Sequence, residues 1–519
     1  MKTRRYNVLV LALLGLAFAH PAEAAPPRYQ NEVLSRTPWA FYRFNEASGT
    51  TATDTSGNGR SGTYAGSPTF GITGAGGAGT DNAVGFNGTD EYMTLNATTL
   101  GPKLTNVTVE AVFRTTSSDA MVLFGTLNDG ITTAIWFEIN RTTPNSHRLF
   151  IRSDTGNRDI QATFTNSDLT NGAFHHLMIA VDLSLSLSNR IKIYVNGIQQ
   201  NVTIGSDSST AVDSSNSFVN FQHPLAVGAR NLRGTIDAHF DGDIDEFAIY
   251  DRTLTAEDAA FLAGAALGWS PYQTLVMSKL PYSFHRFNEA EGPTAIDTSG
   301  NNRTGTYLNE PNFGIPGAGR DNAVEFDSNA EQVMTFNANT IGSALKNVTF
   351  EAVFRTSNTT DSRTLFGTWR SGGNDIVTAV NFSVNGVSQN HTFFIRGENA
   401  RNLSATFTHS GLTNGSYHHL MIAVDLSASL SNRIKIYVNG VEQSVTITHS
   451  SSIALSSSDS FGDFNHPFTI GARNLRGTIG LHFDGVIDEF AIYARTLTAE
   501  DAAAHTGSVF PSGTMIILR

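Results

Sequence analysis

Short segments of alternating apolar and polar residues dominate the chain. Asn106 to Thr115 sets Val107, Val109, Ala111 and Phe113 on one side. Thr108, Glu110 and Arg114 fall on the other, which is the two-residue period of a half-buried strand. Ala134 to Ile139 and Arg148 to Arg152 read as further strands, and the unbroken apolar run Leu177 to Val181 predicts a strand covered on both faces. Ile191-Lys-Ile-Tyr-Val alternates into Asn196-Gly197, a pair suited to a two-residue hairpin turn whose central residues need positive φ. Phe240 to Tyr250 is the last long strand. Thr255-Ala-Glu-Asp-Ala-Ala then predicts one short helix, capped by Thr255 with Glu257 and Asp258 in its first turn. Many short strands, frequent turn residues and almost no helix predict an antiparallel β-sandwich.

The pattern is written twice. GARNLRGTIDAHFDGDIDEFAIYDRTLTAEDAA begins at Gly228 and GARNLRGTIGLHFDGVIDEFAIYARTLTAEDAA at Gly471, an offset of 471 − 228 = 243 residues. DTSGNGRSGTY from Asp54 returns as DTSGNNRTGTY from Asp297, and Asn439-Gly440 repeats the hairpin pair. The expectation is an all-β protein of two tandem domains, 28–265 and 271–510, each with one short C-terminal helix, joined closely through Ala266 to Pro271. Residues 1–24 have the order of a secretory signal. Lys2, Arg4 and Arg5 precede the apolar run Val8 to Ala19, which is too short for a membrane span, and Ala22-Glu23-Ala24 offers cleavage before Ala25. A secreted location, periplasmic or extracellular, is expected, with no transmembrane anchor.

The 519 residues contain no cysteine, which excludes disulfides and thiolate metal sites. A formal net charge of −12 argues against nucleic acid or an anionic membrane as partner.

The ordered set YRFNEASGTTATDTSGNGRSGTY, DNAVGFNG, NVTVEAVFRT, FHHLMIAVD, IKIYVNG and DGDIDEFAIYDRTLTAED resembles the laminin G-like, concanavalin A-like jelly-roll family, particularly its bacterial version. The resemblance covers nearly all of both units. It implies a two-sheet jelly roll that often holds calcium and often recognises a glycan or an extracellular protein; it fixes no ligand.

Asp54-Thr-Ser-Gly-Asn-Gly places oxygen donors at positions 1, 3 and 5 and glycine at 6, the front half of a calcium loop. Asp54, Ser56 and Asn58, with Asp297, Ser299 and Asn301 in the second copy, are candidate ligands, completed by Asp245 and Asp488 from the IDEF strand. An Asx-type turn is the competing reading. Asp241, Asp243, Asp245 and Glu246 mimic a glycosidase pair, but Val486 stands where the first copy has Asp243, so no shared two-carboxylate site is expected. His175-His176 and His418-His419 point to opposite faces of a strand and read as structural. Glu110 beside Arg114, and Glu351 beside Arg355, read as same-face ion pairs. For glycan binding the concave sheet offers Trp136 and Arg152, with Phe382 and Arg396 in the second copy. The loop alternative is Arg230, Asn231 and Arg233, with Arg473, Asn474 and Arg476. The reading is a secreted, non-catalytic tandem protein that binds glycans or a protein surface. The alternatives are a polysaccharide-active hydrolase or lyase and a structural surface or matrix component.

Overall fold

The computed structural model describes residues 28–510 except 77–80, 156–157, 319–320, 338 and 373–374. The expected signal at 1–24 and the tail around Met515 lie outside the described residues.

Each copy builds two largely antiparallel sheets. In the first copy the smaller sheet runs Ile198–Gln199, Ile191–Val195, His175–Asp182, Asn106–Arg114, Asp241–Tyr250, Asn82–Asn87, Thr69–Thr73, and Ala40–Tyr42 also pairs with Asp241–Tyr250. The larger sheet runs Thr203–Gly205, Asp159–Thr165, Ser146–Arg152, Ala134–Ile139, Met121–Leu127, Leu225–Val227, Tyr92–Leu95, Gly62–Ala65, Thr51–Ala52. The hairpin Arg230–Leu232 and Thr235–Asp237 joins it beside Met121–Leu127, in the one parallel pairing of the copy among the described residues. The second copy repeats both strand orders.

Alternation decides where each side chain goes. Val107, Val109, Ala111 and Phe113 meet Leu123, Ile135, Phe137 and Leu149 of the opposing sheet in one apolar core. Val348, Phe350, Phe366, Phe382 and Phe393 form the corresponding core of the second copy. The other face of the smaller sheet is also buried. Val112, Met178, Ala180, Tyr194 and Tyr250 lie under helices Arg28–Ser35 and Ala256–Ala266, which contribute Tyr29, Val33, Ala259 and Leu262. This double cover explains the unbroken apolar run at Leu177 to Val181.

Asn196 and Gly197 take φ of 51° and 74°, as the hairpin requires. The helix after each last strand forms as expected. Thr255 accepts from the Asp258 amide while the Asp258 carboxylate accepts from the Thr255 amide, a full capping box repeated by Thr498 and Asp501. Helices Arg28–Ser35 and Pro271–Ser278 were not anticipated. Each has eight residues; Arg28–Ser35 turns only Tyr29 and Val33 inward, and Pro271–Ser278 buries six residues in no single stripe. That is too little periodicity to recognise.

The copies meet through these helices. Ala256–Ala266 packs on Pro271–Ser278, and Ala260 and Ile198 of the first copy adjoin an apolar cluster of the second. Lys279 reaches Glu257 of the first copy at 3.4 Å and Asp501 of the second at 3.1 Å. Arg28 donates to the Trp269 carbonyl at 2.7 Å and to Thr274 at 3.0 Å.

Candidate functional site

The DTSGN loop closes on itself. Asp54 Oδ1 accepts the amides of Phe41 (3.1 Å) and Ser56 (3.0 Å), and Oδ2 accepts that of Arg60 (2.8 Å). Ser56 Oγ accepts from the Asn58 amide at 3.2 Å, and Asn58 Nδ2 donates to the carbonyls of Pro38 and Trp39. Asp297, Ser299 and Asn301 repeat this set in the second copy. Burial works against the Asp54 charge, but hydrogen bonds from Ser56 and the Arg60 amide outweigh it and lower the pKa. The loop is an Asx-type turn that fastens itself to the first strand.

The structure places Asp245 elsewhere than the sequence suggested. Its Oδ2 accepts the Ala75 amide at 2.8 Å, inside the glycine-rich loop rather than the DTSGN loop. Asp488 accepts the Ala318 amide at 2.7 Å in the same way. A register shift between Ile244 and Glu246 marks a β-bulge in the last strand, so consecutive Asp245 and Glu246 both enter one cluster with Asp81. Carboxylate oxygens of these three residues lie within 4.8 Å of one another. Arg43 bridges Asp81 (2.9 Å) and Glu246 (3.4 Å). Three carboxylates against one guanidinium leave excess negative charge, and Asp245 Oδ1 and Glu246 Oε2 are buried with no hydrogen-bond partner. Burial, then the charge of Asp81, pushes Asp245 well above the usual carboxylate range; burial and Asp245 do the same to Glu246. A Cβ on Gly74 would sit 2.5 Å from Asp245 Oδ1, which is why the loop is glycine there. The second copy gathers Asp321, Asp488 and Glu489 with Arg286. Hard oxygen donors, unpartnered buried oxygens and surplus charge fit a divalent cation such as calcium. The sequence pointed to Asp245 and Asp488 but missed Asp81 and Asp321. Their signal was the DNAV string after each glycine loop.

The glycan candidates also sort by register. Trp136 and Phe150 lie directly opposite on neighbouring strands, stacked at 4.2 Å on the outer face of the larger sheet. Arg230 comes from the adjoining hairpin to lie over Trp136 at 5.4 Å, so the sheet and loop alternatives converge on one surface. Arg152 pairs in register with Ala134 and Asp159 at the edge of this patch. Phe382 is a correction. Asn381, not Phe382, pairs with Phe394, so Asn381 takes the place of Trp136 and Phe382 that of Phe137 in the core, where it is fully buried. The outer aromatic of the second copy is Trp369, one strand over at the position of Leu127. Trp369 stacks on Phe394 at 5.5 Å, donates to Asn381 Oδ1 at 3.1 Å and carries Arg473 over its ring at 5.2 Å. Arg396 pairs in register with Ala379, beside Trp369. Arg233 and Arg476 are exposed at the hairpin tips, both at φ of 56°.

The remaining polar candidates are internal or paired. Arg114 binds Asp243 at 2.7 Å rather than Glu110. Glu110 is buried under the helices, accepting from Tyr29 (3.1 Å) and Tyr250 (2.7 Å) and facing His176 Nε2 at 3.3 Å. Glu351 does not pair with Arg355 either. It faces Tyr272, Tyr493 and His419, and also His505 Nδ1 at 2.9 Å, where the first copy has Leu262. His175 and His418 bond Asn171 and Asn414 respectively, on the opposite face as expected. Of the four acids once compared with a glycosidase pair, Asp243 is neutralised by Arg114, and Asp245 and Glu246 face the Asp81 cluster.

A family profile described as the concanavalin A-like lectin/glucanases superfamily, of laminin G type, matches residues 87–260 and 327–503. No curated protein matches the chain. Among solved structures, the mouse laminin alpha1 chain domains LG4-5 are similar at 12% identity and a TM-score of 0.24, over 78% of this chain and 88% of that one. The carbohydrate-binding module CBM40 of the Ruminococcus gnavus IT-sialidase is similar at 14% identity and a TM-score of 0.28, over 36% and 96%. The binding domain of botulinum neurotoxin DC, in complex with rat synaptotagmin II, is similar at 10% identity and a TM-score of 0.33, over 89% and 99%. With most of both copies matched by the profile and each copy built as a two-sheet sandwich, the chain belongs to the concanavalin A-like lectin/glucanase superfamily as a tandem laminin G-like protein.

Proposed function

We propose that the chain is an exported, non-catalytic protein that binds glycans through the outer face of a larger sheet. The observation that carries this reading is the stacked, half-buried pair of Trp369 and Phe394 beneath Arg473 in the second copy. An aromatic ring offers an apolar face to a pyranose while a forked donor fixes its hydroxyl or acidic groups.

Calcium belongs to the same proposal as a structural ion. Asp81, Asp245 and Glu246 would hold it in the first copy, and Asp321, Asp488 and Glu489 in the second. Bound there, the ion supplies positive charge that lets buried carboxylates remain ionised. Asp245 and Asp488 tie the last strand to the glycine-rich loop, and Arg43 and Arg286 hold the first strand beside it.

Affinity electrophoresis against a panel of soluble polysaccharides, with reducing ends assayed in parallel, tests the reading. Retardation without release of reducing ends is expected. Release of reducing ends would establish a polysaccharide-active enzyme instead, and neither retardation nor release would leave a structural or protein-binding role.

A further inference from the structure

The two outer faces share a framework but not a surface. In the first copy Arg148 pairs with Glu138 at 2.6 Å and lies 5.9 Å from the Trp136 ring centre and 5.4 Å from that of Phe150. Arg230, on the other side, is held in two bonds by Asp237 at 2.9 and 2.8 Å. Both guanidinium groups therefore serve as lids, and Trp136 and Phe150 keep only 9% and 4% of their surface. The register shows what replaces these groups in the second copy. Thr392 and Ser383 stand for Arg148 and Glu138, Gly480 for Asp237, and Asn402 for Asp159 opposite Arg396. Trp369 and Phe394 are accordingly only half-buried.

Charge follows the same substitutions. The first face pairs Arg148 with Glu138 and Arg230 with Asp237, and sets Arg152 in register with Asp159. In the second, Arg370 is cancelled by Glu398 at 2.7 Å, while Arg396 and Arg473 have no carboxylate partner among the described residues. The Nε atoms of both are buried without a hydrogen-bond partner. Hydrogen bonding to Asp237 stabilises the charge of Arg230, whereas burial lowers Arg473 with no acid to offset it. The ring of Trp369 positions the Arg473 guanidinium from one side, and no hydrogen bond from it is found among the described residues.

From this asymmetry we infer that the second copy holds the working site and that its ligand is an anionic polysaccharide. A pyranose ring would stack on Trp369 and Phe394, with its carboxylate or sulfate on Arg473 and Arg396. The first copy's face is closed by its own ion pairs. This inference rests on the glycan-binding reading above and adds which copy binds and the charge of the ligand.

The test uses the full chain and titration calorimetry against polygalacturonate, a sulfated galactan and neutral laminarin. One or both anionic polymers should bind and laminarin should not; the anionic polymer that binds identifies carboxylate or sulfate as the group read. Gly480→Asp is the informative variant, because a Cβ there meets nothing within 4 Å. It supplies Arg473 with the acid that Arg230 has, and should weaken binding at least about tenfold, the loss of roughly one charge-assisted contact. Trp369→Ala should weaken it similarly, and Trp136→Ala should leave it unchanged. Anionic binding that survives Gly480→Asp and Trp369→Ala but disappears with Trp136→Ala overturns the inference and leaves glycan binding standing. Equal binding of laminarin overturns the charge argument. Failure to bind any polysaccharide removes the glycan-binding reading, and this inference with it.

Discussion

Glu351→Gln should destabilise the second copy by about 3 kcal/mol. The carboxylate accepts from Tyr272 at 3.0 Å, His419 at 2.6 Å, His505 at 2.9 Å and from Tyr493, all in a fully buried setting. A hydrogen bond to a charged group contributes about 1.5–3 kcal/mol net, a neutral one about 1 kcal/mol. Glutamine keeps an acceptor oxygen for three of the donors but turns an amide toward Tyr493. Four bonds thus lose charge assistance and one must reverse, which gives a loss of about 3 kcal/mol. For a unit of this size that corresponds to about 6–12 °C in Tm. His505→Leu copies the first copy, retains three donors and removes the unpartnered His505 Nε2, so it should cost only about 1 kcal/mol. Burial alone would raise the Glu351 pKa, but the charge of His505 and the hydrogen bonds from His419 and His505 hold it far below the usual range. A depressed carboxylate contributes stability that is present above its unfolded pKa, near 4.5, and lost as pH falls toward the folded value. The Gln variant mimics the protonated acid. Its deficit should therefore be full at neutral pH and shrink below about pH 4.5. Calorimetric scans of both proteins from pH 7 to pH 3 measure this; a deficit under about 1 kcal/mol at pH 7, or one that grows on acidification, would refute the reasoning.

Millimolar calcium should raise Tm, by about 2.7 kcal/mol of stabilisation at a hundredfold excess over Kd, and a chelator should reverse it. Asp245, Glu246 and Glu489 are raised groups, so metal-free protein should lose stability as pH climbs above the ordinary carboxylate range, and Asp245→Asn with Asp488→Asn should reduce that loss, leaving the part that burial imposes on Glu246 and Glu489, and remove the calcium response. Asp54→Ala with Asp297→Ala should lower stability by about 1–3 kcal/mol per site while the calcium shift of Tm persists, because those carboxylates hold backbone amides; loss of the calcium shift would restore the loop as ligand. Phe382→Ala should cost about 3–5 kcal/mol in denaturant melts as a core truncation, with no effect on polysaccharide affinity. Intact mass of exported protein should place the first residue at or near Ala25, and retention of Met1 would rule out a cleaved signal.

The sandwich was legible because its evidence is local. Period-two strands such as Asn106–Arg114, the Asn196-Gly197 turn and the Thr255 cap are each decided by a few adjacent residues. The sites depend on register between distant strands, which a two-residue period leaves open. Phe382 stands 382 − 136 = 246 residues after Trp136, not the 243 of the repeat. Irregular loops change the offset, and a one-residue slip moves a side chain from the outer face to the core. Asp81 went unseen because a bulge turns Asp245 and Glu246 toward the same cluster, and bulges have no fixed sequence mark. Glu110 and Glu351 read as solvent-facing because nothing in their strands announces the two helices that cover them.

The helical seam sets how the molecule carries load. Residue 28 bonds to Trp269 and Thr274 at the seam, and Phe510 packs into the cluster shared by Tyr272 and Val509. The described residues therefore start at the seam, traverse one sandwich, return, traverse the other and come back. A pull applied at residue 28 or 510 falls on a helix and not on a strand. Tension between an attachment point and a captured polymer would pass through Lys279 and the packed helices before it reached either sheet. The capped helices should yield first under force, with both sandwiches still folded.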